Sequence, residues 1–189
     1  MKLIFAQGNP GTQYTATRHN VGFLLIDTLA HEWGAIFASK PKLKADIAET
    51  SVRGEKVLLV KPTTFYNETG QAARLLLDFY KLTPKDFLII HDDLALPLGT
   101  IRTRVGGSDG GNNGLKSLAA HIGTETARIR VGVWVDHHYG ADKVGVVLGK
   151  FTKQEQEVLI NEAPIIQRVA EDFITGSFEV TTHKPQKGE

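Results

Sequence analysis

The chain has 189 residues, of which 41% are hydrophobic and 23% charged, and this composition excludes a disordered or fibrous protein. Its 22 Lys and Arg side chains nearly balance 21 Asp and Glu, so a surface for an anionic partner must be local, and the lack of cysteine excludes disulfides, thiolate metal centres and a thiol nucleophile. Four apolar residues follow Met1 and Lys2, and no apolar run approaches the roughly 18 residues of a membrane span. We therefore expect a soluble cytoplasmic protein with no membrane contact.

Hydrophobic periodicity predicts strands that alternate with helices along the chain. The predicted strands cover residues 2–6, 45–52, 55–60, 87–90, 100–105, 128–134 and 143–148. The predicted helices cover residues 20–33, 68–80, 115–122 and 153–175, and Pro164 is expected to kink or split the last of them. This alternation indicates an α/β fold with a mostly parallel sheet. We expect a single domain over residues 1–189, with a polar tail from about residue 176 that frays.

Polar residues collect where predicted strands and loops end. Asn9 follows the first strand, His91 and Asp92 end the central strand, and Asn67 and Asn113 precede helices. Parallel sheets bind ligands at the carboxyl ends of their strands, so these residues are expected at one rim. A neutral amide there can bind a peptide backbone, place a water or donate to an oxyanion, although asparagine is also an ordinary turn residue.

A histidine and an aspartate in these positions suggest a general base. His19 lies just before the first predicted helix, where it could simply be an exposed residue beside a cap. Asp92 could likewise be a solvated carboxylate at a strand end. If the two meet, however, the carboxylate fixes the imidazole tautomer, and a pair of this kind without a covalent nucleophile implies attack by activated water.

The glycine-rich loop over residues 106–114 leaves a second reading open. It matches neither nucleotide-binding glycine motif, but residues 106–110 satisfy the G-x-S-x-G pattern between a strand and a helix. Ser108 could then be the nucleophile of a serine hydrolase. Its base would be His137, His138 or His183, which follow it in the chain.

Basic residues concentrate between residues 98 and 130. Five of them face two acidic residues there, so the local net charge is +3; they are Arg102, Arg104, Lys116, Arg128 and Arg130. Arginines two apart on a strand share a face, and such a patch can hold phosphates or can be a solvated sheet edge.

A metal site is a weaker interpretation. His91, Asp92, Asp93 and the pair His137 and His138 could supply ligands. Neighbouring residues of a strand point to opposite faces and cannot all converge, so this pattern does not favour a metal site.

Several segments together resemble the bacterial-type peptidyl-tRNA hydrolase family over essentially the whole chain. These segments are residues 8–23 (GNPGTQYTATRHNVGF), 62–70 (PTTFYNETG), 91–99 (HDDLALPLG), 106–118 (GGSDGGNNGLKSL), 128–133 (RIRVGV) and 143–151 (KVGVVLGKF). The resemblance implies a cytoplasmic, monomeric enzyme that cleaves the ester between a peptide and the 3′-terminal ribose of tRNA, which recycles tRNA after premature release from the ribosome. It also implies a twisted mixed sheet flanked by helices, no metal or cofactor, and peptidyl-tRNA as the partner without an obligate protein partner.

The same resemblance implies roles for individual residues. His19 is the base that activates water, Asp92 orients it, and Asn9 helps to position the scissile carbonyl. The residues implied to bind the substrate are Tyr14, Tyr66, Asn67 and Asn113. Those expected to hold the tRNA 5′-phosphate are Arg104 and Arg130, together with Arg102 from the same basic window.

The sequence departs from the family pattern in three places. Tyr66 stands where the family usually has methionine, and Asn112 stands where it usually has histidine; residues 134–142 do not resemble the usual turn. Peptide preference beside Tyr66 is therefore open, and the contribution of the missing histidine is absent or supplied elsewhere. A role for His137 and His138 against RNA is open as well.

A protein that only binds RNA is the alternative from another class, since relatives of this fold in plant organelles act in intron splicing. Pure binding has no chemical need for a base and its carboxylate at separate strand ends. The presence of His19 and Asp92 therefore favours the enzyme.

Overall fold

The computed structural model describes residues 1–136 and 142–185. The strands of this part are β1 (Lys2–Ala6), β2 (Ala38–Lys40), β3 (Ala45–Val52), β4 (Glu55–Pro62), β5 (Phe87–Pro97), β6 (Ile101–Val105), β7 (Ala127–Trp134) and β8 (Thr182–His183). The α-helices are α1 (Val21–Glu32), α2 (Thr69–Tyr80), α3 (Asn113–Ile122), α4 (Lys143–Leu148), α5 (Lys153–Asn161) and α6 (Ala163–Thr175). Short 3-10 turns at Arg18–Asn20 and Tyr66–Glu68 precede α1 and α2.

The strands form one mixed sheet in the order β2-β3-β4-β1-β5-β7-β6-β8. The four central strands β4, β1, β5 and β7 run parallel, and β1 and the first part of β5 are apolar on both faces, as buried parallel strands are. Of the seven ladders in the described residues, four are antiparallel and lie toward the edges. The α/β class and the mixed sheet are confirmed, and the parallel pairing is confined to the centre.

Helices cover both faces of the sheet, each over its own apolar cluster. On one face α1, α5 and α6 bury side chains such as Leu25, Leu159 and Val169 against the sheet. On the other face α2 and α3 bury side chains such as Leu76 and Leu118. Burial on both sides stabilises the central strands, because neither of their faces meets water.

One predicted strand is too short, and another is a helix. The central strand continues past Ile90 to Pro97, because residues 91–93 remain paired with β7. Residues 143–148 form helix α4 rather than a strand, because the Asp142 carboxylate accepts a hydrogen bond from Gly145 N–H at 3.0 Å and caps the turn. A run of β-branched residues suggested extended chain there, and the local cap overrides that preference.

The C-terminal part is more ordered than expected. Pro164 does split the last helical pattern, and it lies in the first turn of α6, where a missing N–H costs nothing. Residues 177–185 do not fray: Thr103 N–H donates to Thr181 O at 3.0 Å, and β8 extends the sheet beside β6. Among the described helices, none combines the length and the apolarity that crossing a membrane requires.

Candidate active site

A cavity of about 820 Å³ opens at the carboxyl ends of the central strands. Nine of the ten predicted site residues line it, namely Asn9, Tyr14, His19, Tyr66, Asn67, Asp92, Arg104, Asn113 and Arg130. They meet because β1 pairs in parallel with β5, with Ala6 opposite Ile90, so that the chain leaving β1 passes beside Asp92. The tenth residue, Arg102, does not line the cavity; its Nε donates to Thr182 Oγ1 at 3.0 Å, and β8, which the sequence did not indicate, holds it there.

His19 is held at this rim by close packing beneath it. A Cβ on Gly22 would lie 2.5 Å from Gln7 O and 2.8 Å from Ile90 O, so only glycine lets the start of α1 approach β1 and β5 this closely. His19 Nδ1 lies 3.0 Å from Asp92 Oδ2. The contact makes Nδ1 the protonated nitrogen and leaves Nε2, on the far side of the ring, as the free base.

Asp92 is an ionised carboxylate despite its burial. Its side chain is 3% exposed, and it accepts hydrogen bonds from His19 at Oδ2 and from the Tyr66 hydroxyl at Oδ1, the latter at 2.5 Å. Burial would raise the pKa of Asp92, but the hydrogen bonds and charge of His19 and the hydrogen bond of Tyr66 hold this pKa below its ordinary value. The charge is therefore present to support an imidazolium.

Tyr66 lies beneath the base rather than out in the cavity. Its ring stacks on that of His19 with the centroids 3.6 Å apart and the planes 6° from parallel, and only 2% of the residue is exposed. Burial and the neighbouring Asp92 charge raise the pKa of Tyr66 well above its ordinary value. Tyr66 thus contacts His19 and Asp92, and its contact with substrate stays a prediction.

Asn9 is fixed so that one donor remains for a ligand. Its Oδ1 accepts from Tyr66 N–H at 2.8 Å, which places the amide nitrogen Nδ2 on the other side. Asn20 holds the Asn9 backbone through two hydrogen bonds of 2.9 Å each. Among the described residues Nδ2 has no partner, and Asn9 lines the cavity.

The remaining predicted substrate residues stand at the cavity mouth. Asn67 and Asn113 are exposed and line it. Tyr14 and Phe65 pack edge to face with their centroids 6.4 Å apart, and Phe65 remains 56% exposed. An apolar aromatic edge beside two amides suits a peptide, whose backbone needs hydrogen bonds and whose side chains need apolar contact.

The basic end of the cavity is built from two strands. Arg130 Nε donates to Asp93 Oδ2 at 2.6 Å, while Arg104 is exposed. Arg128 is buried and donates to the carbonyls of Ser108 and Gly107 at 3.0 and 3.2 Å, so it anchors the glycine-rich loop.

Two further basic residues, Arg128 and Lys143, line this cavity. Burial, with the charges of Arg104 and Arg130, lowers the pKa of Arg128, but a guanidinium in a protein stays protonated. Lys143 on α4 also lines the cavity, and it was not predicted there because its segment was expected to be a strand.

The described residues support neither a serine hydrolase nor a metal site. Ser108 is exposed in the loop, and within residues 1–136 and 142–185 no histidine is hydrogen-bonded to its hydroxyl. His183 lies on β8 beside Arg168, whereas His137 and His138 fall outside the described residues.

The candidate metal ligands have other partners. His91 Nδ1 faces Asp92 O, Asp92 faces His19, and Asp93 faces Arg130. The described part of the chain contains no group of three or more residues placed to hold a metal ion.

The family model described as peptidyl-tRNA hydrolase matches residues 3–187. The chain belongs to this family. It is 40% identical over 188 residues to a peptidyl-tRNA hydrolase from Synechococcus elongatus, a match that covers 96% of this chain and 90% of the relative. It is 49% identical over 160 residues to one from Desulfitobacterium hafniense, covering 84% and 85%.

A solved structure supports the same conclusion. The crystal structure of peptidyl-tRNA hydrolase from Acinetobacter baumannii superposes with a TM-score of 0.85 at 32% identity, covering 93% of this chain and 89% of that one. The chain is therefore a hydrolase of the ester in peptidyl-tRNA, as the motifs of the sequence indicated.

Proposed function

We propose that the chain hydrolyses peptidyl-tRNA by direct attack of a water molecule, with His19 as the general base and Asp92 as the carboxylate that orients it. The observation that carries this proposal is the contact of 3.0 Å between His19 Nδ1 and Asp92 Oδ2 inside the cavity. It leaves a basic nitrogen at the cavity and a buried negative charge behind it. That is the arrangement a general base needs near neutral pH.

The reaction follows from these groups. A water bound beside Nε2 gives its proton to His19 as its oxygen attacks the ester carbonyl, and Asp92 stabilises the imidazolium that forms. The carbonyl oxygen becomes an oxyanion, to which Asn9 Nδ2 can donate. When the intermediate collapses, the imidazolium returns a proton to the departing 3′-oxygen of the ribose. The peptide leaves as a carboxylic acid, which gives its proton to the solvent at neutral pH, and the tRNA leaves with a free hydroxyl.

Substrate contacts divide between the two ends of the cavity. Asn67 and Asn113, with Tyr14 beside Phe65, take the peptide and keep its carbonyl near Asn9. The guanidinium groups of Arg104 and Arg130 take the tRNA 5′-phosphate, because a planar fork of donors matches phosphate oxygens. The same proposal includes a monomer that acts in the cytoplasm with no protein partner.

The test compares acetyl-aminoacyl-tRNA with aminoacyl-tRNA whose amino group is free, with a chelator added in a parallel series. We expect cleavage of the blocked substrate alone, unaffected by the chelator. His19→Ala should lower kcat by about 10² to 10⁴-fold, the usual contribution of a general base. The matched control is His31→Ala, since the His31 side chain is 88% exposed at the end of α1.

Two results would count against the proposal. If wild-type protein binds tRNA and cleaves nothing, the fold serves binding only. If cleavage is as fast in His19→Ala as in His31→Ala, the base lies elsewhere.

A further inference from the structure

The Tyr66 hydroxyl makes two hydrogen bonds whose directions are fixed. Asn112 Nδ2 lies 2.9 Å from the phenol oxygen, and an amide NH₂ group can only donate. The phenol oxygen therefore accepts from Asn112, and its single hydrogen goes to Asp92 Oδ1, 2.5 Å away. The Asn112 amide, at the start of α3, is therefore linked to the Asp92 carboxylate through the Tyr66 hydroxyl.

Asn112 itself is anchored. It is the N-cap of α3, and its Oδ1 accepts from Leu115 N–H at 3.0 Å. Because the oxygen is used by the helix, the nitrogen must face Tyr66. The orientation of this amide is therefore set by the start of α3 and not by the substrate.

The ring of Tyr66 has little freedom to move. His19 stacks on it, and a Cβ on Gly114 would lie 2.4 Å from Tyr66 Cε1, so the start of α3 packs directly against the ring. Its backbone N–H is held by Asn9 Oδ1. Tyr66 thus touches the base and the carboxylate with its side chain, and its backbone holds the residue placed to donate to the oxyanion.

We propose that Tyr66 and Asn112 are positioning residues that fix the Asp92 carboxylate and, through it, the proton affinity of His19. The inference rests on the proposed function, in which His19 is the base. Neither residue needs to touch the substrate for this. Tyr66 and Asn112 are also the two residues that depart from the family pattern at this site. The proposal explains them together, because they are partners in a single chain of hydrogen bonds.

The sign of the pH effect follows from the charges around the pair. On β5 the neighbours of Asp92 are His91, which is buried and has a lowered pKa because of its burial, and Asp93, which is paired with Arg130. The first turn of α1 has no acidic residue.

Other elements near His19 also carry charged residues, and one of them is Glu68, exposed in the turn that carries Tyr66. Arg18, in the same turn as His19, is paired with Glu155 of α5, and α4 contributes Lys143 to the cavity wall. All of these stay in place when the Tyr66 hydroxyl is removed. The carboxylate, having lost one donor, then holds the imidazolium more strongly, so the acid limb of activity moves to higher pH.

The experiment uses Tyr66→Phe, which keeps the stacked ring and removes only the hydroxyl. We expect kcat on acetyl-aminoacyl-tRNA to fall about tenfold, as for loss of a hydrogen bond to a charged group, with KM within about twofold. The acid limb, that is the pH midpoint below which kcat falls, should move up by about 0.5 to 1 pH unit. Tyr80→Phe is the matched control, because Tyr80 is the last residue of α2 and does not line the cavity, and it should change neither kcat, KM nor the acid limb.

Asn112→Ser is the second variant, and it keeps a side-chain oxygen for the helix cap. It should shift the acid limb in the same direction by less, and it should add nothing in the Tyr66→Phe background, because its effect passes through the tyrosine. If Tyr66→Phe does not fold, the pH profile of Asn112→Ser alone decides.

NMR titration of the His19 ring gives a readout that does not need turnover. Its midpoint should move to higher pH in Tyr66→Phe even if the wild-type protein proves to be a binding module, so the two proposals can fail separately. A raised KM with an unmoved acid limb would make Tyr66 a substrate contact and overturn the inference. Unchanged kinetics with an unchanged titration would overturn it as well.

Discussion

The buried ion pair of Arg18 and Glu155 gives a stability prediction that also concerns the active site. Arg18 donates to Glu155 Oε1 at 2.7 Å and to Lys150 O at 2.9 Å, and the two charged side chains are 4% and 9% exposed. Glu155 also accepts from Thr152 N–H at 2.7 Å in the capping box of α5. This pair ties the turn that carries His19 to the C-terminal helices.

Glu155→Ala leaves the guanidinium buried without its carboxylate. Removing one partner of a buried pair costs about 3 to 5 kcal/mol, and here the helix cap is lost with it, so we expect a loss of about 4 kcal/mol in the free energy of unfolding. For a domain of this size that corresponds to a fall in Tm of about 8 to 16 °C. Because Arg18 precedes His19, kcat should fall in the same variant.

Urea unfolding followed by circular dichroism measures the change. The matched control is Glu49→Ala, which removes an exposed pair with Lys56 whose side chains are 45% and 49% exposed, and it should cost less than about 1 kcal/mol. The double variant Arg18→Met, Glu155→Met removes both charges and should recover most of the loss. If Glu155→Ala costs no more than Glu49→Ala, the reasoning about burial is refuted.

Three further predictions concern the site itself. Asp92→Asn should lower kcat by about 10² to 10⁴-fold, since an amide cannot support the imidazolium. The folded-state pKa of Asp92 is depressed, so its stabilisation is present above about pH 4 and is lost as pH falls through the lower folded value; acid titration of Asp92→Asn should show a weaker loss of stability. Gly114→Ala should cost about 1 to 3 kcal/mol in urea unfolding and lower kcat, because the new Cβ meets the Tyr66 ring. Arg104→Ala should raise KM and reduce the slope of log kcat/KM against log salt by about 1, whereas Lys85→Ala, 74% exposed elsewhere, should do neither.

The central strands and long helices could be predicted because their signals are local. The apolar run of β5 and the periodic stripe of α2 indicate burial directly. The predicted break at Pro164 is also confirmed, because Pro164 lies at the start of α6. The residues that the carboxyl-end rule assigned to one rim do line one cavity; they are Asn9, Asn67, His91, Asp92 and Asn113.

The contacts that join distant segments could not be predicted in the same way. Helix α4 is six residues long and its apolar, β-branched residues suggested a strand, while β8 exists only because β6 offers a free edge. The hydroxyl of Tyr66 meets a carboxylate 26 positions along the chain, and Arg18 meets Glu155 across 137 positions. Local periodicity carries no information about such pairings, so the contact of Tyr66 with the base could not be predicted.

The most direct test of the account is the turnover of acetyl-aminoacyl-tRNA by His19→Ala and by Ser108→Ala under identical conditions. Water activated by His19 predicts a kcat lowered about 10² to 10⁴-fold in the first variant and unchanged within about twofold in the second. The opposite pattern, with activity retained without the imidazole and lost without the Ser108 hydroxyl, would contradict a water-activating histidine and make the serine the nucleophile.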